Sequence, residues 1–232
     1  MNIEIRQELP SENYEVENLV REAFWNVYRP GCAEHLILHH FRQHPNYLEK
    51  LSKVLLLDGK LVGQIMFSKA QLRHEKTGQI KEIATFGPFA ILPDFQKQGL
   101  GEQLAQEAIR QARKEGISHL VIFGNPAYYP KYGFVTASDC GIYLDGQDKE
   151  EILDFVMVLD LQKDNSVTHE NGPWLYRDPD GYEVDEEELA IFDCSFPPKR
   201  KKNDRDNSAR NRNQSVDFYR LYELGINPIM LR

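Results

Sequence analysis

The chain has 232 residues, of which 41% are hydrophobic and 28% charged, and its formal net charge is -8. That length suits one large domain, or one domain with a smaller appendage, and the composition is that of a soluble protein with a sizeable core. The acidic balance argues against a nucleic-acid partner, and no run approaches the roughly 20 apolar residues that span a bilayer, so a membrane partner is not expected.

Cys32, Cys140 and Cys194 are far apart and form no C-x-x-C pair. Reduced thiols in a cytoplasmic protein are the simplest expectation. Charge at Glu4 and Arg6 comes too early for a signal sequence. Oligomeric state stays open, a homodimer included.

Ile3 and Ile5 alternate with Glu4 and Arg6, a short half-buried strand. After Pro10, Ser11 is placed to cap a helix carrying Val16, Leu19, Val20, Ala23 and Phe24 at helical spacing. Pro30-Gly31 separates it from a second helix over Ala33–Gln43. Val54–Leu57 and Leu61–Leu72 flank Asp58-Gly59, a two-residue hairpin signal. Thr77-Gly78 is a further turn, and Ile80–Ile91 a third long strand, where Pro88 predicts a bulge or a lost pair because it donates no ladder hydrogen bond.

Beyond Pro93 the period changes. Leu100, Leu104, Ala105, Ala108, Ile109 and Ala112 describe a helix that begins at a glycine turn and ends near Gly116. Leu120–Phe123 is a short strand, Asn125–Lys131 a helical turn, and Ile142–Leu144 and Asp154–Leu161 two more strands. The strand–helix–strand unit implies a parallel pair within a sheet whose hairpins are antiparallel, an α/β fold with a mixed sheet.

The last third has another character. Trp174–Tyr176 reads as a strand. Asp178 to Asp193 holds eight acids and no Lys or Arg, and Asp185 is placed to cap a helix reaching about Cys194. Lys199–Asn213 carries seven basic and two acidic residues with almost no apolar content, the composition of a mobile or solvated loop. Phe218, Tyr219, Leu221, Tyr222 and Leu224 form a final amphipathic helix.

The chemistry is concentrated in Gln96-Lys97-Gln98-Gly99-Leu100-Gly101. A strand ends, a tight turn follows and a helix starts. Helix N-termini offer unpaired N–H groups and partial positive charge to a phosphate, and glycines let the backbone approach it closely. Glu102 follows Gly101 where a P-loop needs Lys, and Leu104 stands where a dinucleotide fingerprint needs its third glycine.

Gln-x-x-Gly-x-Gly after a strand ending Phe89-Ala90-Ile91-Leu92-Pro93, followed by Gly124-Asn125-Pro126-Ala127-Tyr128-Tyr129 and Tyr129-x-x-x-Gly133-Phe134, resembles the GNAT superfamily of acyl-CoA N-acyltransferases, most of all its YhbS-like branch. Asn125 stands where that branch often has Asp. The resemblance covers about 2–161. It implies a central mixed, mostly antiparallel twisted sheet with a V-shaped splay, flanked by helices, as an acyltransferase domain over 1–162, leaving 163–232 as a C-terminal helical and irregular extension. It implies acetyl-CoA as co-substrate, with no metal. Phe89, Ala90 and Ile91 would pair with the pantetheine arm. Gln96, Lys97, Gln98, Gly99, Leu100, Gly101 and Glu102 would form the pyrophosphate turn. Asn125 is either a pantetheine ligand or a turn residue, and Tyr132 borders the cofactor. Tyr129 holds the family's general-acid position, with packing as its other role. Glu82 is a candidate base, its plainer role an exposed strand carboxylate.

The expected reaction is direct attack of a primary amine on the thioester in a ternary complex. The alternative is a fold that binds acyl-CoA as a sensor or recruits a partner without turnover. The acceptor amine is not legible; the acidic stretch Asp178–Asp193 is by default an exposed helix, with lining of the entrance for a cationic acceptor as its other role. His35, His39, His40 and His44 share one predicted helix but lack a supporting ligand set for a metal.

Overall fold

A computed structural model describes residues 2–163 and 166–202. Strand β1 (Ile3–Arg6) pairs antiparallel with β2 (Lys53–Leu57), and β2 with the long β3 (Lys60–His74). The β2–β3 hairpin closes as expected, with Asp58 and Gly59 both left-handed (φ 50° and 82°). β3 then pairs with β4 (Ile80–Ile91) over almost its whole length.

Helix α1 (Asn13–Phe24) buries Val16, Leu19, Val20, Ala23 and Phe24 at the expected spacing. Ser11 does not cap it. Residues Pro10–Glu12 form a 3-10 turn, and the Glu12 carboxylate accepts the Leu9 N–H at 2.8 Å while pairing with Arg6 at 2.6 Å. Helix α2 (Glu34–Phe41) follows. Helix α3 (Leu100–Lys114) turns Leu104, Ala105, Ala108 and Ala112 to the sheet and ends at left-handed Gly116. It leads to β5 (His119–Phe123), which is parallel to β4, so the expected strand–helix–strand unit is present.

A two-residue strand, β6 (Val135–Thr136), gave no sequence signal; it pairs with β8 (Val156–Asp160), and β8 lies antiparallel on β5. Strand β7 (Ile142–Leu144) pairs parallel with β9 (Trp174–Arg177), and β9 adds to the end of β3 that β2 leaves free. The nine strands form one mixed, mostly antiparallel sheet. One face carries an apolar core shared with α1 and α2, the other a core shared with α3.

Among residues 166–202, Val167, Trp174, Tyr176, Tyr182 and Leu189 join the core on the α1–α2 face. Helix α4 (Glu186–Asp193) is capped by Asp185, whose carboxylate accepts the Glu188 N–H at 2.8 Å. Arg21, almost fully buried, donates to Asp193 at 2.6 Å and to the Pro197 carbonyl at 3.1 Å, with its guanidinium 4.2 Å over the Trp25 ring. Residues 199–202, the start of the basic segment, lie along α1: Trp25 and Asn26 both donate to the Arg200 carbonyl, and Lys199 pairs with Glu22 at 2.6 Å. The rest of that segment and the helix expected at Phe218–Leu224 lie outside the described residues.

Removing one partner of a buried ion pair strands the other charge, which costs about 3 kcal/mol or more. Asp193→Ala is therefore expected to lower unfolding free energy by about that amount, read from urea denaturation.

Candidate active site

The site begins with a departure from regular pairing. Ile65 pairs with Phe89 and Phe67 with Phe86, so Met66 alone faces Gly87 and Pro88. This bulge accommodates a proline with no N–H to give and bends the strand. β4 and β5 meet at the single pair Ala84↔Leu120. Above it β4 stays with β3 while β5 stays with β8, and a V opens between them. The Leu92 N–H goes to Val62 at 2.9 Å, on the β3 side. By strand alternation Phe89 and Ile91 turn their main-chain groups into the V.

At the top of the V the chain makes the glycine turn. Lys97 (φ 60°) and Gly99 (φ 79°) are left-handed, and α3 starts directly after Gly99. The first bond at this end of α3 runs from the Gln103 N–H to the Gly99 carbonyl at 3.2 Å. The N–H groups of Leu100, Gly101 and Glu102 therefore have no partner within the helix. Side chains brace the turn: Gln96 donates to the Ile91 carbonyl at 2.9 Å and Gln98 to the Asp94 carbonyl at 3.0 Å. A Cβ on Gly101 would lie 3.4–3.5 Å from Ile91, Phe89 and the Tyr128 hydroxyl. Glycine thus leaves a small cradle, walled by apolar groups and a hydroxyl, at a helix N-terminus.

A 3-10 turn at Tyr129–Tyr132 overlies this cradle. Tyr132 donates to the Tyr128 hydroxyl at 2.9 Å. Lys131 pairs with Glu102 at 2.9 Å and sits 4.3 Å over the Tyr128 ring. Asn125 builds the turn: its side-chain oxygen accepts the Ala127 N–H at 2.8 Å and its carbonyl accepts those of Tyr128 and Tyr129.

Tyr129 fills the V itself. Its side chain is fully buried, with ring centroids 6.0 Å from Phe86 on β4 and 5.6 Å from Phe134. A Cβ on Gly124, just after β5, would lie 2.5 Å from this ring. Burial holds the Tyr129 hydroxyl well above the ordinary phenol range, reinforced by Tyr128, Tyr28 and Tyr132. Tyr129 belongs to the core on the α3 side, with Tyr128 and Tyr132 packed beside it.

Glu82 is not brought to Tyr129. It is exposed at the start of β4, and the Ala84↔Leu120 pair closes the V between them. It lines instead an open groove of about 990 Å³ together with Lys69, Arg73, Asp145, Asp178 and Asp180. The four histidines of α2 and its C-terminal end diverge: His35 faces Asp193, His39 Glu17 and His40 Glu188, while His44 accepts the Asn46 N–H. Cys32, His35 and Asp193 form a string, with Cys32 Sγ 3.5 Å from His35 Nδ1 and His35 Nε2 3.4 Å from Asp193. Burial pushes the Cys32 thiol well up and His35 down to about 4, so the string holds neither thiolate nor imidazolium at neutral pH and serves packing.

Sequence reasoning missed three residues here. Gly124 stands in the motif but was given no role, because its requirement comes from the Tyr129 ring. Tyr176 and Tyr182 lie in the extension. Tyr176 donates to Asp178 at 3.0 Å, and Tyr182 donates to the Gly87 carbonyl at 3.0 Å, at the point where β4 bulges.

Gly124→Ala is expected to displace the Tyr129 ring and to lower stability by about 1–3 kcal/mol, the range for an overpacked core. Thermal unfolding and the near-ultraviolet tyrosine signal would measure it.

Comparison with known proteins agrees with this geometry. Residues 13–134, more than half of the chain, match the model of the acetyltransferase (GNAT) family. The N-acetyltransferase YjhQ of Escherichia coli is 32% identical over 84 residues, which are 36% of this chain and only 45% of that protein. The N-acetyltransferase YhbS of the same organism is 25% identical over 134 residues, 58% of this chain and 74% of that one. Among solved structures, E. coli YhbS in complex with CoA superposes with a TM-score of 0.61 at 23% identity, over 76% of this chain and 91% of its own. A GNAT acetyltransferase from Brucella melitensis in complex with acetyl-CoA gives a TM-score of 0.58 at 23% identity, over 78% and 99%. The splayed mixed sheet, the glycine turn at the start of α3 and the matched stretch from α1 to Phe134 make this chain a member of the GNAT acetyltransferase family.

Proposed function

We propose that the chain transfers an acetyl group from acetyl-CoA to a primary amine by direct attack in a ternary complex. The observation that carries this reading is the cradle at Gly101, where three N–H groups without a helix partner start α3 beside Ile91, Phe89 and the Tyr128 hydroxyl. A pyrophosphate suits that place because its charge meets both the N–H groups and the helix dipole. The pantetheine arm would then follow Phe89 and Ile91 as an added strand. Glu102 and Lys131 already form an ion pair across this entrance, and Lys131 is within reach of a bound phosphate.

In this reading the amine attacks the thioester carbonyl at the bulge. The Ile91 N–H, turned into the V, stabilises the oxyanion. Tyr129 is protonated at any physiological pH, the form in which a proton donor must begin, and meets the departing sulfur with its hydroxyl. A second reading, an acyl-CoA-binding module without turnover, is favoured by the complete burial of Tyr129. Thiol release from acetyl-CoA with a panel of polyamines, amino acids, aminoglycosides and peptides separates the two, because only the enzyme releases thiol in an amine-dependent way.

Tyr129→Phe is expected to slow turnover by about 100-fold or more with CoA affinity intact. Full-rate turnover by this variant would remove Tyr129 from the mechanism. Gly101→Ala makes only ordinary contacts in the fold, so its melting temperature is expected to stay near that of the unaltered chain. Its added methyl fills the cradle and is expected to weaken CoA binding by about 10-fold or more, some 1.4 kcal/mol by calorimetry.

A further inference from the structure

The half of the reaction that the glycine turn leaves undescribed is the amine. Three side chains of the C-terminal extension come to the base of the V on the α1–α2 face. Tyr182 stacks on Phe41 with centroids 4.7 Å apart, stands 3.3 Å from the Ser68 hydroxyl and donates to the Gly87 carbonyl. Tyr176, fully buried, is within hydrogen-bonding reach of Thr85 on β4 and donates to Asp178. Asp178 borders the groove that Glu82 lines, but its link through Tyr176 to Thr85 carries it to β4 one residue past the Ala84↔Leu120 pair, on the V side. The loop between is held down at left-handed Gly181 (φ 113°), where any Cβ would lie 2.9 Å from Phe41.

Asp178 stands out among the carboxylates here. Asp145 in the same groove is paired with Arg73, whereas among the described residues no Lys, Arg or His lies within ion-pair distance of Asp178. Its side-chain partner is a neutral phenol. A carboxylate half withdrawn from water, held in place by a tyrosine and given no protein cation, suits an incoming ammonium group.

Resting on the acetyltransferase reading, we propose that Asp178 is the general base: it binds the protonated primary amine of the acceptor and takes one proton from it. The ammonium and the Asp178 carboxylate become a neutral amine and a carboxylic acid. The freed nitrogen lone pair attacks the acetyl carbonyl at the bulge, the carbon–sulfur bond breaks, and the CoA sulfur leaves as thiolate; Tyr129 gives it a proton and is itself reprotonated by the new ammonium centre, which becomes the neutral amide. Tyr176 and Tyr182 are positioning residues, the first for Asp178 and the second for the bulge. The base comes from the extension rather than from the strand that carries Glu82.

Burial, with a smaller contribution from Glu183, lifts the Asp178 carboxyl to about 7, against the Tyr176 hydrogen bond that lowers it. A base that titrates near working pH combines a populated carboxylate with useful basicity. The groups facing it are Tyr176 from β9 and Tyr182 and Glu183 from the following loop, while Thr85 on β4 bonds Tyr176 and His44 lies beside Gly181. Lys69, Arg73, Arg177, Asp145, Asp180 and Glu82 lie around the groove. Because the folded carboxyl holds its proton above the ordinary Asp range, stability falls as pH rises from that range to about 7, and the full cost of ionisation persists above it. Asn at this position is relieved of that cost.

The test uses the full chain with acetyl-CoA and putrescine, followed by thiol release from about pH 5.5 to about pH 9.5. For the unaltered chain kcat/KM is expected to rise with pH and level off just above about 7. Asp178→Asn is expected to lower kcat/KM for the amine about 100-fold at neutral pH and to abolish the levelling, leaving a rise toward the amine's own pKa. CoA affinity should be unchanged and the variant should melt no lower than the unaltered chain at about pH 8. Equal kcat/KM in the two proteins, or an unchanged pH profile, would overturn the assignment. So would a parallel loss of CoA binding. If the unaltered chain transfers nothing to putrescine, the acetyltransferase reading fails for this amine. Asp178 is then judged separately by carbon-13 carboxyl NMR of the CoA-loaded chain. A downward shift of its titration when putrescine is added supports an ammonium site, and no shift overturns it.

Discussion

β4 and β5 run parallel yet share one ladder pair, Ala84↔Leu120, before the two residues Gly87 and Pro88 oppose one on β3 and β4 bends away. Buried main-chain groups are almost always paired, so a strand that leaves its neighbour inside a sheet exposes groups in need of a partner. The V is tolerable because each strand keeps its other neighbour, β4 with β3 and β5 with β8. Tyr129 closes the apolar part of the gap by wedging its ring between Phe86 and Gly124, and of the main-chain groups that turn into the V the Ile91 carbonyl is taken by Gln96. The glycine turn, the tyrosine turn and the extension all converge on this one interruption.

The two faces of the sheet have different tasks. On the α3 side the helix packs through alanines and leucines, which brings its N-terminus close to the end of β4. Gly63 contributes here, since a Cβ would come within 2.6 Å of Ile91. On the α1–α2 side the core is supplemented by the extension, which is fastened by the buried Arg21 and by main-chain acceptors from Ser195 to Arg200. That fastening sets where Tyr176, Asp178 and Tyr182 can lie. The extension is thus part of the site's architecture, although the family match ends at Phe134.

Much of this was legible beforehand, for local reasons. Asp58-Gly59 needed left-handed residues, Ile80–Ile91 had strand composition interrupted by one proline, and the apolar spacing after Gly99 was helical. Such signals are carried by neighbours in the chain. Ser11 misled because its neighbour Glu12 is tied to Arg6, so the helix begins one residue later than the hydroxyl would dictate. β6 was invisible because two residues carry no periodicity.

By itself, then, the amino-acid order determined the strands, the main helices, the glycine turn and the family, since each depends on residue types a few positions apart. Only the tertiary structure decided how the rest of the site is populated. It set Glu82 on the closed side of Ala84↔Leu120, buried Tyr129 completely, and brought the hydroxyl of Tyr182 to the carbonyl of Gly87 across 95 positions of chain. Register, burial and long-range contact arise from packing the whole chain at once, and no local pattern encodes them.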